Sequence, residues 1–194
     1  NEDAVAEICR RLDGLPLAIE LAAPRIRSLP PPALLRRLDQ RLKLLTGGAQ
    51  DLDERQRTLR ATIEWSYELL PDAERELFAQ LGVFVGGSRL EAAEALCDSI
   101  GIDVLDGLHS LVEKSLLRQR ADADGEPRFW MLETIREYAL ELLDEARALA
   151  EVRRRHAEWF LAQAERADIE ARTGDQAAWF DGLDADNDNL RAAL

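Results

Sequence analysis

The chain has few of the residue types that usually carry catalysis or bind metals. Its 194 residues include two histidines, His109 and His156, and two cysteines, Cys9 and Cys97. Neither histidine belongs to a spacing such as His-Glu-x-x-His, and no Gly-x-Ser-x-Gly motif occurs. We expect His109, which lies beside Leu108 and Leu111, to be a partly buried structural residue. We expect His156 to be either solvated or part of an interhelix contact. Both cysteines lie beside apolar neighbours in helical patterns, which is typical of buried free thiols. We therefore predict no catalytic residue and no metal site in this chain.

Signals for membranes and for phosphate binding are also missing. No apolar run approaches the roughly 20 residues that span a bilayer, and the first residues resemble no signal peptide. No glycine-rich loop ends in Lys-Ser or Lys-Thr, as a phosphate-binding loop does. We expect a cytoplasmic chain without membrane contact and without ATPase activity of its own. Because it lacks an initiator Met and ends within a helical pattern, we also expect it to be part of a longer protein.

Positive charge is scarce as well. The net charge is −13, and the only lysines are Lys43 and Lys114. An acidic balance disfavours non-specific attraction to nucleic-acid phosphates. With 46% hydrophobic residues, the chain is nevertheless long enough to bury one or two cores.

The first 50 residues predict a small helical domain. Gly14 is placed to end the first helix, and Pro16 suits the first turn of the second. A break at Ser28 and at Pro30 to Pro32 precedes a third helix, and Gly47-Gly48 marks a loop near the end. The apolar positions that recur at helical spacing are Ala4, Ile8, Leu12, Leu17, Ile19, Leu21, Ala22, Leu34, Leu35, Leu38, Leu42, Leu44 and Leu45.

Residues 51–146 predict a winged helix with a two-stranded wing. Asp53 can cap its first helix, and Ser88 can cap a short helix further on. Strands are predicted at Leu116 to Arg120 and at Arg128 to Met131, joined by a turn at Asp124-Gly125. The apolar helical positions are Leu59, Ile63, Tyr67, Leu70, Leu77, Phe78, Leu81, Leu90, Ala93, Leu96, Val104, Leu105, Leu108, Leu111, Val112, Ile135, Tyr138, Ala139 and Leu142.

Residues 147–194 predict the start of an α-helical repeat of the tetratricopeptide-like kind. One helix carries Val152, His156, Trp159, Phe160 and Ala164, and a break at Thr173-Gly174-Asp175 follows. A second pattern contains Trp179, Phe180 and Leu183, and a further helix begins at Asn187. Asp184, Asp186 and Asp188 are interpreted as solvated loop charges. The predicted fold is therefore mainly α, in three segments.

An ordered series of motifs resembles a known family. Gly14 to Ala23 reads GLPLAIELAA, a signature of STAND-class NTPases of the NB-ARC type. That class holds apoptosome and plant-immunity switches and many bacterial transcription regulators. The chain is most similar to the AfsR-like and LuxR-like bacterial branch. Further matches are Arg37-Leu38 through Gly47-Gly48, Arg55 to Arg60, Trp65 to Tyr67, Leu70-Pro71, Glu74-Arg75, Leu77-Phe78, Val83-Phe84, Gly86-Gly87, Leu111 to Leu116 and Met131 to Ala139.

The resemblance implies a nucleotide site shared with an upstream phosphate-loop domain of the same protein. Leu15 and Pro16 would line it, with Pro16 near the adenine, although a helix-starting proline explains that residue equally well. The family's Met-His-Asp motif, whose histidine contacts the β-phosphate of ADP, aligns with Met131, Leu132 and Glu133. Leu132 cannot donate a hydrogen bond to phosphate, so either ADP is held more loosely or Glu133 and its neighbours compensate through the domain interface. Met131 is most simply a core residue.

A DNA-binding winged helix is the main alternative. Its basic residues would be Arg118, Arg120 and Arg128 of the wing. The candidate recognition helix, Ile102 to Lys114, is acidic on balance, and phosphate binding requires clustered positive charge. We expect DNA to be bound through another domain.

The sequence thus predicts a regulatory fragment of a STAND-type signal-transduction ATPase that regulates transcription. The fragment itself holds no cofactor and is no enzyme, whereas the full-length protein would be a slow ATPase switch that binds ADP or ATP with Mg²⁺. The helical-repeat region would receive a protein or small-molecule inducer. A purely helical protein-interaction scaffold is a further alternative.

Overall fold

The fold is mainly helical with one small antiparallel sheet, as predicted. The computed structural model describes residues 2–27, 29–38, 59–122, 125–173 and 176–194. Among these residues, 3₁₀ turns cover Ala23–Arg27 and Asp98–Ile100. The helices and strands are α1 (Glu2–Arg11), α2 (Pro16–Ala22), α3 (Pro31–Leu35), α4 (Leu59–Glu68), α5 (Asp72–Leu81), β1 (Ser88–Arg89), α6 (Leu90–Cys97), α7 (Val104–Glu113), β2 (Arg118–Ala121), β3 (Pro127–Trp130), α8 (Glu133–Glu145), α9 (Leu149–Thr173) and α10 (Gln176–Ala193).

The contacts divide the chain into two compact units. The first comprises the described parts of Asn1–Leu70 together with Leu132–Tyr138. The second comprises Pro71–Met131 and Ala139–Leu194, again in their described parts. The three predicted segments, 1–50, 51–146 and 147–194, remain a prediction.

In the first unit, α1 packs against α3. Ile8 of α1, Leu12 just after that helix, and Leu34 of α3 are buried, as their helical spacing predicted. Gly14 ends the turn after α1 with a φ of 65°, which glycine adopts without a steric penalty. Pro16 then occupies the first turn of α2, where its missing N–H leaves no hydrogen bond unmade.

Helix α4 adds an aromatic contact to this unit. Leu59 and Ile63 are buried, as predicted, and Tyr67 lies further along the helix. The Tyr67 ring meets the Tyr138 ring edge-on, with the centroids 5.7 Å apart, and the Arg60 guanidinium lies 5.3 Å from the Tyr138 centroid. Such pairs add specificity to apolar burial because the ring edge and face carry opposite partial charges.

In the second unit, α5, α6 and α7 pack around a core formed by one apolar face of each helix. Gly107 permits the close approach of α7 to α5, since a Cβ at this position would lie 2.5 Å from Leu77 Cδ2. The core residues of these helices are Leu77, Phe78, Leu81, Ala93, Leu96, Leu108 and Leu111.

The sheet has three strands rather than the predicted two. Strand order is β1-β3-β2, and both pairings are antiparallel. Ser88 was predicted to cap a helix, but it lies in β1 opposite Phe129, and Arg89 occupies the N-cap position of α6. A strand of two residues is too short to show the alternation of apolar and polar residues that identifies strands in a sequence. Only its pairing with β3 identifies β1 as a strand.

The hairpin itself is confirmed. Arg118 lies opposite Trp130 and Arg120 lies opposite Arg128. In the turn, the Gly125 N–H donates to the Asp122 carbonyl at 3.0 Å, and Gly125 has a φ of 88°. A left-handed residue is what short hairpin loops require, which explains the glycine.

Helix α8 follows the predicted periodicity with one correction. Ile135, Tyr138 and Ala139 are buried as predicted, but Leu142 is only half-buried and Leu143 takes the core position. Four residues after Ala139 the helix has turned through slightly more than one full turn, so Leu143 returns to the same face.

Helices α9 and α10 pack against each other, and α9 also packs on α6. The Arg155 Nη1 of α9 donates to the Leu96 carbonyl at 2.8 Å, and its Nη2 donates to Gln80 Oε1 at 3.1 Å. The prediction that a helix begins at Asn187 is wrong, because α10 already begins at Gln176. No helix in the part of the chain that the structure describes is long and apolar enough to span a membrane.

Several predictions concern residues outside the described ranges or side chains that the structure does not describe. They are Asp53 as a cap, the apolar positions Leu42, Leu44 and Leu45, the loops at Gly47-Gly48 and Gly174-Asp175, Asp124 of the wing turn, and the side chains of Leu17, Leu21, Trp179, Phe180, Leu183 and Asp184.

The core of the second unit can be tested at Leu108, whose side chain is 0% exposed. We expect Leu108→Ala to lower the free energy of unfolding by about 2–5 kcal/mol, because it leaves a cavity that the helices fill only in part. Leu105→Ala, at a half-buried position of the same helix, is the matched control and should cost clearly less. Equal losses in urea titrations of the two variants would contradict the assignment of Leu108 to the core.

Candidate functional site

Helix α7 follows α5 and α6, leads into the hairpin and carries an acidic exposed face. Asp103 caps its N-terminus, since Asp103 Oδ1 accepts from the Asp106 N–H at 2.9 Å. Asp106, His109 and Glu113 are exposed. His109 had been predicted to be partly buried, and its exposure corrects that prediction.

Lys114, the one lysine among the described residues, carries no unopposed positive charge. Its Nζ lies 2.6 Å from Glu74 Oε2 and 2.5 Å from Ser110 Oγ. The exposed face of α7 is therefore negative, as the sequence predicted. Approach of a DNA backbone to this face would be opposed electrostatically.

Two of the three wing arginines lie on the surface. Arg118 and Arg120 are exposed on β2, which is an edge strand of the sheet. The Arg120 guanidinium lies 5.2 Å from the centroid of the Trp130 ring, which is a cation–π distance.

The third wing arginine, Arg128, is fully buried. Its Nε lies 3.1 Å from Asp122 Oδ1 and 3.0 Å from Asp122 Oδ2, its Nη1 donates to the Gly87 carbonyl at 3.0 Å, and its Nη2 donates to Asp186 Oδ1 at 2.8 Å. Every nitrogen of the guanidinium thus has an acceptor, which a buried charge requires. Unlike Arg118 and Arg120, Arg128 does not reach the surface in this structure.

Both carboxylates of this site have structural roles. Asp122 also pairs with Arg89, with Arg89 Nε 3.2 Å from Asp122 Oδ2, so it joins β1 and β3 to the end of β2. Asp186 belongs to α10 and is ion-paired, so its interpretation as a solvated loop charge is wrong.

Asn189 of α10 continues the network to the turn before β1. Its Oδ1 accepts from the Val85 N–H at 2.8 Å, and its Nδ2 donates to the Gly87 carbonyl at 2.9 Å. The same Oδ1 lies 3.2 Å from His156 Nε2. We refer to Arg128, Asp122, Asp186, Asn189 and the Gly87 carbonyl as the Arg128 cluster.

Gly87 is required at the centre of this cluster for steric reasons. Its φ is 88°, and a Cβ there would lie 2.3 Å from the Phe129 carbonyl oxygen and 2.6 Å from Trp130 Cβ. The absence of a side chain allows β1 to pair with β3 and turns the Gly87 carbonyl toward Arg128 and Asn189.

His156 is buried between aromatic rings rather than solvated. Its ring centroid lies 4.7 Å from that of Phe160 and 5.2 Å from that of Phe84. Burial lowers the pKa of His156, while the hydrogen bond to Asn189 and the nearby Asp186 carboxylate oppose that shift. His156 is therefore a buried interhelical contact, one of the two roles that the sequence suggested.

The predicted nucleotide residues lie in the first unit. Leu15 is half-buried and extended just before α2, and Pro16 is exposed at the start of that helix. Leu132 is half-buried before α8, and its carbonyl accepts from the N–H groups of Ile135 and Arg136, both at 2.9 Å. The assignment of Leu15, Pro16 and Leu132 to a nucleotide site remains a prediction.

The residues on either side of Leu132 make structural contacts. Met131 is buried, as predicted, and Glu133 pairs with Arg136 one turn later, with Glu133 Oε1 3.1 Å from Arg136 Nε.

Cys97 is buried, and burial raises the pKa of its thiol to about 12, whereas Cys9 is only half-buried. Within the described ranges, no group of three His, Cys, Asp or Glu side chains could hold a metal ion.

Sequence reasoning missed the contributions of Arg89, Asp122, Asp186 and Asn189. One signal was available, namely that the predicted hairpin sets Arg120 near Arg128. Like charges directly opposite each other in a sheet are destabilising, so a nearby carboxylate was to be expected. Nothing local to α10 indicated that Asp186 would be that partner.

Order and pairing of these elements define a winged helix: three helices, a short first strand between them, and a hairpin that leads to a further helix. Residues 70–144 match the family model of the winged helix-turn-helix domain. The chain therefore carries such a domain.

Two relatives of the chain are named as candidate transcription regulators. A Mycobacterium tuberculosis (strain H37Rv) protein, named a candidate HTH-type transcriptional regulator, is 44% identical over 197 residues, covering 100% of this chain. A Mycobacterium bovis protein with the corresponding name is equally similar. An uncharacterized M. tuberculosis protein is 41% identical over 146 residues, covering 73% of this chain and 37% of that protein. The chain spans 22% of the length of the two regulators. No solved structure matches it significantly.

The burial of His156 predicts a specific pH dependence of stability. Its ordinary pKa is 6.5 and the folded value is lower, so between the two values the unfolded chain binds more protons. The contribution is fully present above about pH 6.5 and is lost as the pH falls toward the folded pKa. We expect His156→Gln to flatten this part of the profile, although it lowers stability at pH 8 through lost packing.

Unfolding in urea at half-unit steps from pH 8 to pH 5 would measure this effect. His109→Gln is the matched control, because it changes the only other histidine, which is exposed. An unchanged slope in His156→Gln, or the same flattening in His109→Gln, would contradict the prediction.

Proposed function

We propose that this chain is the regulatory portion of a STAND-type ATPase that controls transcription. An upstream phosphate-loop domain of the same protein would bind ADP or ATP with Mg²⁺ against residues 1–50. Exchange of the nucleotide would then shift the winged helix between two arrangements. The GLPLAIELAA run supports this proposal, and so does Pro16, whose exposed ring stands at the first turn of α2.

The observation that carries this proposal is the charge of α7. In a winged helix that reads DNA, the third helix enters the major groove, and positive charge on its face supports that docking. Here the exposed side chains of α7 include Asp106 and Glu113, and Lys114 is neutralised by Glu74. This favours a winged helix that works within the protein, as a coupling element, while another domain contacts DNA.

The remaining segments fit the same role. Helices α9 and α10 form a packed pair, and helix pairs of this kind stack on further pairs in repeat proteins. We propose that such a region, continued in the full-length protein, receives a protein or small-molecule inducer. The names of the two regulators support a role in transcription for the whole protein.

The nucleotide part of the proposal can be tested at Leu132 in the full-length protein. A charge-assisted hydrogen bond contributes about 1.5–3 kcal/mol, which corresponds to roughly tenfold or more in affinity. We therefore expect Leu132→His to supply the missing phosphate contact, tighten ADP binding by about tenfold and slow ADP release. Titration calorimetry and stopped-flow release of a fluorescent ADP would measure both effects.

Leu140→His, at a half-buried leucine within α8, is the control for adding a histidine near Leu132, which lies just before that helix. Unchanged ADP affinity in folded Leu132→His protein would show that this position does not face the phosphate. Absence of ADP binding in the full-length wild type would contradict the proposed ATPase switch itself.

A second candidate function is DNA binding through the wing. The exposure of Arg118 and Arg120 on an edge strand favours it, since two neighbouring guanidinium groups can contact a phosphate backbone. In this case the wing would supply the contact instead of α7, and binding would depend on salt more than on base sequence.

The double variant Arg118→Gln, Arg120→Gln tests this candidate. If the wing binds the backbone, the variant should weaken binding of duplex DNA at low salt and reduce the slope of log K against log salt by about 1.8, or 0.9 for each lost contact. Arg153→Gln, Arg154→Gln on α9 is a control with the same change in net charge. Equal weakening by both pairs, measured by fluorescence anisotropy, would exclude a specific role of the wing.

A further inference from the structure

The outer face of the sheet carries four arginines. Residues directly opposite each other in an antiparallel sheet point to the same side, as do alternate residues of one strand. Arg89 and Arg120 both lie opposite Arg128, and Arg118 lies opposite Trp130. These residues therefore share one face, whereas Phe129 points to the other side and is buried. We call Arg89, Arg118, Arg120, Arg128 and Trp130 the outer sheet face.

Helix α10 covers part of this face with acidic and amide groups. Asp186 binds the Arg128 guanidinium, and Asn189 binds the Gly87 carbonyl beside it. Asp188 adds a further carboxylate, which lies close to the turn, because a Cβ on Gly86 would be 3.6 Å from Asp188 Oδ2. Arg128 is consequently 0% exposed, whereas Arg118 and Arg120 of the same face remain open to solvent.

We propose that the outer sheet face is a binding surface for the phosphate backbone of duplex DNA, and that α10 covers it in the conformation described here. Asp186 occupies the position of a phosphate, because a carboxylate and a phosphate oxygen accept the same charge-assisted hydrogen bonds from a guanidinium. Displacement of this part of α10 would add Arg128 to the row already formed by Arg118 and Arg120. The proposal rests on the second candidate function, DNA binding through the wing.

Competition between DNA and Asp186 for Arg128 couples DNA binding to the position of α10. If DNA and Asp186 compete for Arg128, DNA binding favours the state in which α10 is displaced, and any partner that holds α10 in place weakens DNA binding by the same factor. The net charge of −13 belongs to the whole chain, whereas the outer sheet face carries four arginines. Their ion-pair partners described here are Asp122, which pairs with Arg89 and Arg128, and Asp186, which pairs with Arg128. Local charge at a docking surface outweighs distant charge beyond a screening length of about 10 Å.

The test compares Asp186→Asn with the wild-type 194-residue chain. Asn at this position keeps an acceptor for Arg128 but removes the negative charge, so the fold is retained and the cover is weakened. We expect a 20-base-pair duplex labelled with fluorescein to bind about threefold to tenfold more tightly, with a salt slope steeper by about 0.9. Asp98→Asn, the same charge change at an exposed position, should alter affinity by much less.

Adding Arg128→Gln to Asp186→Asn identifies the residue responsible. The gain should disappear in this double variant, because the side chain that α10 released is gone. A gain that persists without Arg128, or an equal gain in Asp98→Asn, would overturn the proposal.

Hydrogen exchange of the wild-type chain provides a test that needs no variant. Addition of the duplex should raise exchange of the α10 amides around Asp186 to Asn189, since these residues leave the outer sheet face. Wild-type binding that depends on Arg118 and Arg120, with no effect of Asp186→Asn and no change in α10 exchange, would refute the cover while leaving the second candidate function intact. Binding of the duplex by Asp186→Asn but not by the wild-type chain would support the cover. Absence of binding by the wild type and by every variant would contradict both proposals.

Discussion

The burial of one guanidinium group sets the structure of the second unit. Arg128 lies in the middle strand of the sheet with no solvent contact, and its charge would be very costly there without acceptors. Three different parts of the chain supply them: Asp122 at the end of the wing, the Gly87 carbonyl before β1, and Asp186 on α10. The position of each part is therefore constrained by the same group.

Because these acceptors are far apart in the sequence, the cluster joins elements that would otherwise be independent. Asn189 hydrogen-bonds both the Val85 N–H and the Gly87 carbonyl, so α10 satisfies backbone groups of a turn more than 100 residues away. Losing one partner of a buried ion pair is more destabilising than the pair is stabilising, since the remaining charge stays buried. The winged helix and the last helix of the chain thus share one polar interior.

Charge is distributed unevenly over this winged helix, and that distribution bears on its function. The exposed side of α7 is acidic, whereas the outer sheet face carries arginines. Winged helices commonly contact DNA through the third helix. In this chain the positive charge lies on the outer sheet face instead, and α10 covers part of that face. Similarity to transcription regulators is compatible with either an internal coupling role or a contact made by the wing, and the two roles predict opposite outcomes for Arg118 and Arg120.

Much of the helical content was predictable because it depends on local periodicity. The spacing of Leu77, Leu108 and Leu111 placed them in a core, and all three are buried. The hairpin followed from the glycine in its turn. Leu142 was assigned to the core by the same reasoning and is only half-buried, because two adjacent leucines satisfy the periodicity almost equally and packing selects Leu143.

The helices, the hairpin and the acidic character of α7 could be predicted from the sequence, since each depends on residues within one or two turns or strands. Long-range packing, in contrast, makes Ser88 and Arg89 a strand, buries Arg128 and pairs it with Asp186. An ion pair between residues 58 positions apart has no local signature. Its members are ordinary surface charges until the packing of α10 brings them together and removes the water between them.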